Sequence, residues 1–146
     1  MSRTFVDTAV FARLADDARP ELRDAAIALL SDGSRRFETN ALVLGQLYSA
    51  LVPRNVRGAR AKALAQAGRR AVAATRPFAT IDVTAVHIEL ALELVQERQL
   101  QLWDAVNWAC AIVAGCNDYA SFDAPGHPHE VRGVKFVNPL ELAQGS

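Results

Sequence analysis

Short apolar runs alternate along the chain with segments of helical periodicity. The runs predict strands over residues 4–7, 35–39, 119–123 and 134–137, and a strand or extended link over 78–83. Apolar residues at helical spacing predict helices over residues 9–17, 20–30, 41–52, 56–74, 85–98 and 103–113. Alternating strands and helices predict one three-layer α/β/α domain over residues 1–146, with a mainly parallel central sheet of about five strands.

Two of the predicted strands end in an aspartate, Asp7 and Asp123. The carboxyl ends of parallel strands form the edge of the sheet where ligands bind. Asp104 begins a helix, where the helix dipole by itself favours an acid by ~0.3–1 kcal/mol. Three carboxylates that converge on one cleft repel each other unless a cation compensates. The three acids together therefore predict a Mg²⁺ or Mn²⁺ site suited to phosphodiester hydrolysis.

Charge is distributed unevenly, although the net charge is zero. Residues 1–76 carry 13 Arg or Lys and 7 Asp or Glu, whereas residues 77–146 carry 3 and 9. The segment 54–76 contains no acid, and its basic residues are Arg54, Arg57, Arg60, Lys62, Arg69, Arg70 and Arg76. Two interpretations stay open: a surface that binds a phosphate backbone, or a solvated helix face.

Five short motifs, in order, resemble those of the PIN domain, and especially of VapC-type toxins. The resemblance covers nearly the whole chain. The motifs are residues 5–8 (FVDT), 39–47 (TNALVLGQL), 102–105 (LWDA), 119–123 (YASFD), and the closing pair Gly133-Val134 and Asn138-Pro139. The resemblance implies a metal-dependent endoribonuclease, the toxin of a toxin–antitoxin pair.

The resemblance also assigns roles to residues. Asp7, Asp104 and Asp123 would hold one or two Mg²⁺ or Mn²⁺ ions, with Gln46 at the edge of the catalytic site. Supporting positions would be taken by Thr8, Asn40 and Ser121. If the basic segment binds a phosphate backbone, as its charge allows, RNA would bind the basic residues Arg54, Arg57, Arg60, Lys62, Arg69 and Arg70. The implied partners are RNA, a small cognate antitoxin and a second copy of the chain in a homodimer.

Gln46 departs from the family pattern, which usually has a glutamate there. An amide is neutral and is a weaker ligand for Mg²⁺ than a carboxylate. Three explanations stay open. The aspartates alone hold a more weakly bound metal, Glu38 supplies the missing charge, or the site is catalytically impaired and the domain binds RNA or a protein partner without cleavage.

The remaining features favour a cytoplasmic globular protein. No apolar run reaches the ~18 residues of a membrane span, and the N-terminus does not resemble a signal peptide. Cys110 and Cys116 are interpreted as core residues, and His127 and His129 as parts of an exposed loop. A flavodoxin-like or receiver domain also places acids at strand ends, but the acid at Asp104 and the absence of a late strand-end lysine argue against it.

Overall fold

Six strands of the described chain form one sheet. The computed structural model describes residues 1–14, 16–74, 78–122 and 126–145. The strands are β1 (Ser2–Val6), β2 (Arg35–Asn40), β3 (Phe78–Ile81), β4 (Asp118–Ala120), β5 (Glu130–Val131) and β6 (Val134–Val137). Their order is β3-β2-β1-β4-β6-β5, and neighbours are parallel except for the antiparallel pair of β5 and β6.

The helices lie on both faces of the sheet. They are α1 (Thr8–Arg13), α2 (Pro20–Leu30), α3 (Ala41–Leu51), α4 (Gly58–Ala74), α5 (Ala85–Arg98), α6 (Leu102–Val113) and α7 (Pro139–Gln144). The chain steps one way across the sheet from β1 to β3 and then returns to β4. Because parallel crossovers are right-handed, this reversal places α5 and α6 opposite α1 to α4. The contacts agree, since α5 packs on α6 and α1 contacts α2, α3 and α4. The predicted three-layer fold is confirmed.

The reversal in strand order creates a crevice between β1 and β4. These strands are parallel neighbours, and Val6 at the end of β1 pairs with Ala120 at the end of β4. In open α/β sheets the ligand crevice lies beyond the carboxyl ends of strands at such a switch point. Asp7 and Ser121 follow the paired residues directly, so both lie at this crevice.

Several of the described helices begin with a side chain that accepts a hydrogen bond from the first turn. Asp7 caps α1, Asn40 caps α3 and Asn138 caps α7. Asp and Asn are preferred at this position because their oxygens satisfy backbone N–H groups that lack a partner in the helix. Asp7 and Asn40, two of the predicted site residues, therefore also determine where helices begin.

A stack of aromatic rings lies in the core beside the crevice. The Tyr119 ring lies 5.3 Å from that of Phe5 and 4.2 Å from that of Trp108, and all three residues are fully buried. Cys110 and Cys116 are buried free thiols, as the sequence predicted for core residues. None of the described helices combines the length and apolar character that a membrane span requires.

Strand β5 and helix α7, both near the C-terminus, were not predicted. β5 and β6 form a hairpin whose turn residues, Arg132 and Gly133, have φ angles of 47° and 88°. Two such residues between valines indicate a type I′ turn, but a two-residue strand is too short to show periodicity. Helix α7 begins at Pro139, in the closing motif Asn138-Pro139, where no helix was predicted. Proline is favoured in the first turn of a helix, because that turn needs no N–H partner.

Candidate functional site

Asp7 is held in the crevice by two hydrogen bonds. The residue is only 5% exposed. Its Oδ1 accepts a hydrogen bond from the backbone N–H of Ala9 at 2.9 Å, and Oδ2 accepts one from the hydroxyl of Tyr119 at 3.3 Å. The predicted strand-end acid is thus an oriented carboxylate at the start of α1.

Asp104 lies in the first turn of α6 and is half-buried. Burial raises the pKa of Tyr119 well above its usual value, and the negative charges of Asp7 and Asp104 raise it further. The Tyr119 hydroxyl donates to Asp7 at 3.3 Å, and the negative charge of Asp104, 97 positions later in the sequence, acts on the same phenol. Their role as metal ligands stays a prediction.

Ser121 follows β4 and is fully buried. Its backbone N–H donates to the carbonyl of Val137 at 3.1 Å, which holds the end of β4 against β6. Asp123, the third predicted acid, lies outside the described residues. Its position in the crevice stays a prediction from the motif at residues 119–123.

Gln46 is connected to the crevice through Thr8. The Thr8 hydroxyl donates to Gln46 Oε1 at 2.9 Å, and both side chains are half-buried. Because Thr8 directly follows Asp7, this hydrogen bond holds the Gln46 amide near the end of β1, where Asp7 lies. The location agrees with a position at the edge of the site, and contact with a metal stays a prediction.

Two buried amide side chains, Asn40 and Asn107, form a hydrogen bond near the crevice. Asn40 accepts from the backbone of Val43, and its Nδ2 donates to Asn107 Oδ1 at 2.9 Å and to Cys110 Sγ at 3.4 Å. A hydrogen bond from Asn107 to Tyr119 lowers the pKa of the phenol, against the larger effect of burial. Asn107 was not predicted as a site residue, although a polar residue within the apolar segment 105–111 was a signal for it.

Comparison with solved structures gives the family of the fold. No protein-family model and no curated protein sequence matches the chain significantly. VapC20 of Mycobacterium tuberculosis, a sarcin–ricin loop cleaving toxin, is 27% identical, with a TM-score of 0.64 over 83% of this chain and 90% of that one. The chain folds as a VapC-type PIN domain.

Two further neighbours of this PIN domain come from toxin–antitoxin complexes. One is from Klebsiella pneumoniae, with 20% identity and a TM-score of 0.68 over 93% of this chain and 97% of that one. The other is VapBC2 from Rickettsia felis bound to a promoter DNA fragment, with 11% identity and a TM-score of 0.66 over 93% and 98% of the chains. At these identities they support the fold alone. The resemblance drawn from the motifs is confirmed.

The PIN domain carries its predicted RNA-binding cations at exposed positions in helix α4 and in the segment that precedes it. We call these positions the basic surface; its residues are Arg54, Arg57, Arg60, Lys62, Arg69 and Arg70, all exposed. None of them forms an ion pair with an acid that the structure describes. Arg54, Arg57 and Lys62 line an open groove of about 840 Å³ between α3 and α4. RNA binding there stays a prediction.

The interpretation of His127 as an exposed residue was wrong. Its side chain is only 2% exposed. The indole N–H of Trp108 donates to His127 Nδ1 at 3.0 Å, and the ring stacks on Phe136 with centroids 5.5 Å apart. The sequence indicated a loop correctly but did not show that one loop side chain turns into the core. His129 is exposed, as predicted.

Glu38 does not supply the charge that Gln46 lacks. Its carboxylate lies 3.6 Å from Arg3 and 3.8 Å from Arg36, and it accepts a hydrogen bond from Cys116 Sγ at 3.5 Å. Burial, and then the negative charge of Glu38, raise the pKa of the Cys116 thiol. That alternative was wrong because Glu38 is neutralised inside the sheet by its own cations.

The donors around Asp7 are the kind that hard cations prefer. Asp7, Asp104 and Gln46 offer oxygens, which suit Mg²⁺ or Mn²⁺ better than softer metals. Within residues 1–14, 16–74, 78–122 and 126–145, no three His, Cys, Asp or Glu side chains form a group that could hold a metal. The chemistry of the donors fits a hard divalent ion, and the ion itself stays a prediction.

Proposed function

We propose that the PIN domain is a metal-dependent endoribonuclease, the toxin of a toxin–antitoxin pair, that hydrolyses phosphodiester bonds of RNA. One observation carries the proposal: the buried carboxylate of Asp7 is oriented by Ala9 and Tyr119 at the crevice where this fold binds its ligands, and the charge of Asp104 acts on the same phenol. Two of the neighbouring structures, from VapC20 and from a toxin–antitoxin complex, are those of toxins, which supports the same class.

The proposed cation is Mg²⁺ or Mn²⁺, held by Asp7, Asp104 and Asp123 with Gln46 at the edge. When bound, such an ion stabilises negative charge on phosphoryl oxygens and lowers the pKa of water. The chain itself contributes orientation. Ala9 and Tyr119 hold the two oxygens of Asp7, and Thr8 fixes the Gln46 amide, so that the donors are arranged before substrate arrives.

The basic surface would hold the RNA backbone. Its cations are exposed and have no partner among the described acids, so they are available for phosphate oxygens. Each cation that neutralises a phosphate releases a counterion, which makes the binding depend on salt. The basic surface provides affinity, and the carboxylates provide the chemistry.

The proposed partners are a small antitoxin and a second copy of the chain. The α3–α4 region offers exposed apolar side chains, with Leu44 at 39% and Tyr48 at 50% exposure, next to the groove lined by Arg54 and Arg57. An antitoxin that covers this region would also cover cations proposed to bind RNA. The antitoxin would then inhibit cleavage because it would keep RNA from binding these cations.

The proposal is tested with purified protein and single-stranded RNA. We expect cleavage that requires Mg²⁺ or Mn²⁺, stops in EDTA and is abolished by Asp7→Asn, because the amide removes the charge that a cation needs. Asp24→Asn is the matched control, since Asp24 is 70% exposed on α2 and should leave cleavage unchanged. Unchanged Mg²⁺-dependent cleavage by Asp7→Asn would remove Asp7 from the mechanism.

A second function is favoured by the Thr8–Gln46 contact. It places a neutral amide where the family usually has a carboxylate, so the domain would bind RNA or a protein partner without cutting. The same assay separates the two. RNA that is bound but stays intact in both Mg²⁺ and Mn²⁺ would support the binding module.

A further inference from the structure

His127 has no role in the chemistry proposed so far, although its ring lies against Asp7. Its Nε2 is 3.8 Å from Asp7 Oδ2, the oxygen that also accepts from the Tyr119 hydroxyl. The ring centroid lies 5.1 Å from that of Tyr119 and 5.5 Å from that of Phe136. Together with Trp108, these aromatic neighbours and the near-complete burial of the side chain leave the imidazole little freedom to turn.

The contact with Trp108 determines which ring nitrogen carries the proton. An indole N–H is only a donor, so His127 Nδ1, which accepts from it at 3.0 Å, must have a free lone pair. An imidazole with an unprotonated Nδ1 is neutral and has its proton on Nε2. That nitrogen is the one that lies toward Asp7, so Trp108 directs an N–H group at the carboxylate.

We propose that His127 is a positioning residue for Asp7. Trp108 holds its tautomer, so that the Nε2–H faces Oδ2 of the carboxylate, the oxygen that already accepts from the Tyr119 hydroxyl. At 3.8 Å the contact is longer than a hydrogen bond, and such contacts in ligand-free sites shorten when the site is filled. Groups that hold a metal-binding carboxylate typically change metal affinity or activity by about 10–100-fold when removed. The effect on cleavage rests on the proposed function, whereas the tautomer and the contact do not.

The first test needs no nuclease activity. The ¹⁵N shifts of the His127 ring report the tautomer in the unmodified protein, and we expect a protonated Nε2 and an unprotonated Nδ1. Trp108→Phe should abolish the preference, and Asp7→Asn should shift the Nε2 signal. His87 is the internal control, because its Nδ1 accepts from the backbone of Thr84 and should not respond to either change. A protonated Nδ1 in the unmodified protein, or no response of Nε2 to Asp7→Asn, would overturn the proposal.

The second test separates positioning from packing. His127→Phe keeps an aromatic ring between its neighbours but removes the N–H, so kcat should fall about 10–100-fold while KM for RNA changes little. His127→Gln retains a donor and an acceptor and should recover most of kcat. Equal losses in both variants, in proportion to a lower melting temperature, would indicate packing alone and overturn the proposal. If the unmodified protein does not cleave RNA, the proposed function fails, and the ¹⁵N shifts still decide the role of His127.

Discussion

Gln46 accepts a hydrogen bond from Thr8 at a position where the PIN-domain motif usually has a glutamate. The hydroxyl would donate equally well to a carboxylate, so the local geometry does not depend on the amide. What the amide changes is charge. Asp7 and Asp104 together bring at most two negative charges, and the site gains none from α3. The strength of a metal site at this crevice is therefore sensitive to this one side chain.

Gln46→Glu should raise the affinity for Mg²⁺ by at least about tenfold. A unit charge 4 Å from a cation contributes ~4 kcal/mol at an effective dielectric constant of 20, before the repulsion from Asp7 is subtracted. Isothermal titration calorimetry measures the change, and Gln96→Glu on the exposed side of α5 is the control. An unchanged dissociation constant would mean that position 46 does not face the ion.

Helix α3 begins at a residue that serves two elements at once. Asn40 caps α3 through its oxygen, while its Nδ2 connects β2 to α6 through Asn107. Asn138 caps α7 in a similar way, but no contact to a second element accompanies it among the described residues. Substitutions at Asn40 and Asn138 therefore separate the stability that a helix cap contributes from the stability that the buried Asn40–Asn107 hydrogen bond contributes.

Asn40→Ala should lower the free energy of unfolding by about 2 kcal/mol or more in urea titrations. Loss of the cap costs roughly 1 kcal/mol, and a buried acceptor left without a partner on Asn107 costs about 1–3 kcal/mol more. Asn138→Ala should cost only the capping part. Asn40→Asp keeps the cap but loses the donor, so a stability close to that of the unmodified protein would argue against the bridge.

The basic and acidic residues that are separated along the chain are also separated in the folded domain. The basic surface lies around α3 and α4, whereas Asp104 lies at the start of α6 on the other side of the sheet and Asp7 lies at the crevice between β1 and β4. Cations that bind a phosphate backbone and acids that bind a divalent ion would neutralise each other if they were adjacent. The fold keeps them on different elements.

Removal of two cations with Arg60→Gln/Lys62→Gln should weaken RNA binding and reduce its salt dependence. The slope of log K against log salt concentration should fall in magnitude by about 1.4, because each phosphate contact on a single strand contributes ~0.7. Fluorescence anisotropy in EDTA measures binding without cleavage. Arg19→Gln/Arg23→Gln is the control, since those cations already pair with Glu21, Asp17 and Asp24. An unchanged slope would exclude Arg60 and Lys62 from the RNA interface.

Longer elements were predictable because their signals lie within one stretch of sequence. Helix α2 (Pro20–Leu30) has a proline in its first turn and apolar residues at helical spacing, and α5 (Ala85–Arg98) matches its predicted range. Strand β4 was predicted over residues 119–123, but it runs from Asp118 to Ala120. Its limits depend on pairing with β1 and β6, which no local pattern contains.

From the sequence alone came the types of the main elements, the acid at the end of β1, the basic surface and the family resemblance, because periodicity, caps and charge runs are local properties. The tertiary structure decided which distant residues meet. It showed that Tyr119 holds Asp7, that Asn107 accepts a hydrogen bond from Asn40, that the His127 side chain is buried against Asp7, and that Glu38 is neutralised elsewhere. These contacts depend on strand order and on the crossing of the chain between β3 and β4. A pattern read along the chain does not contain that order, so only the folded chain shows which side chains share the crevice.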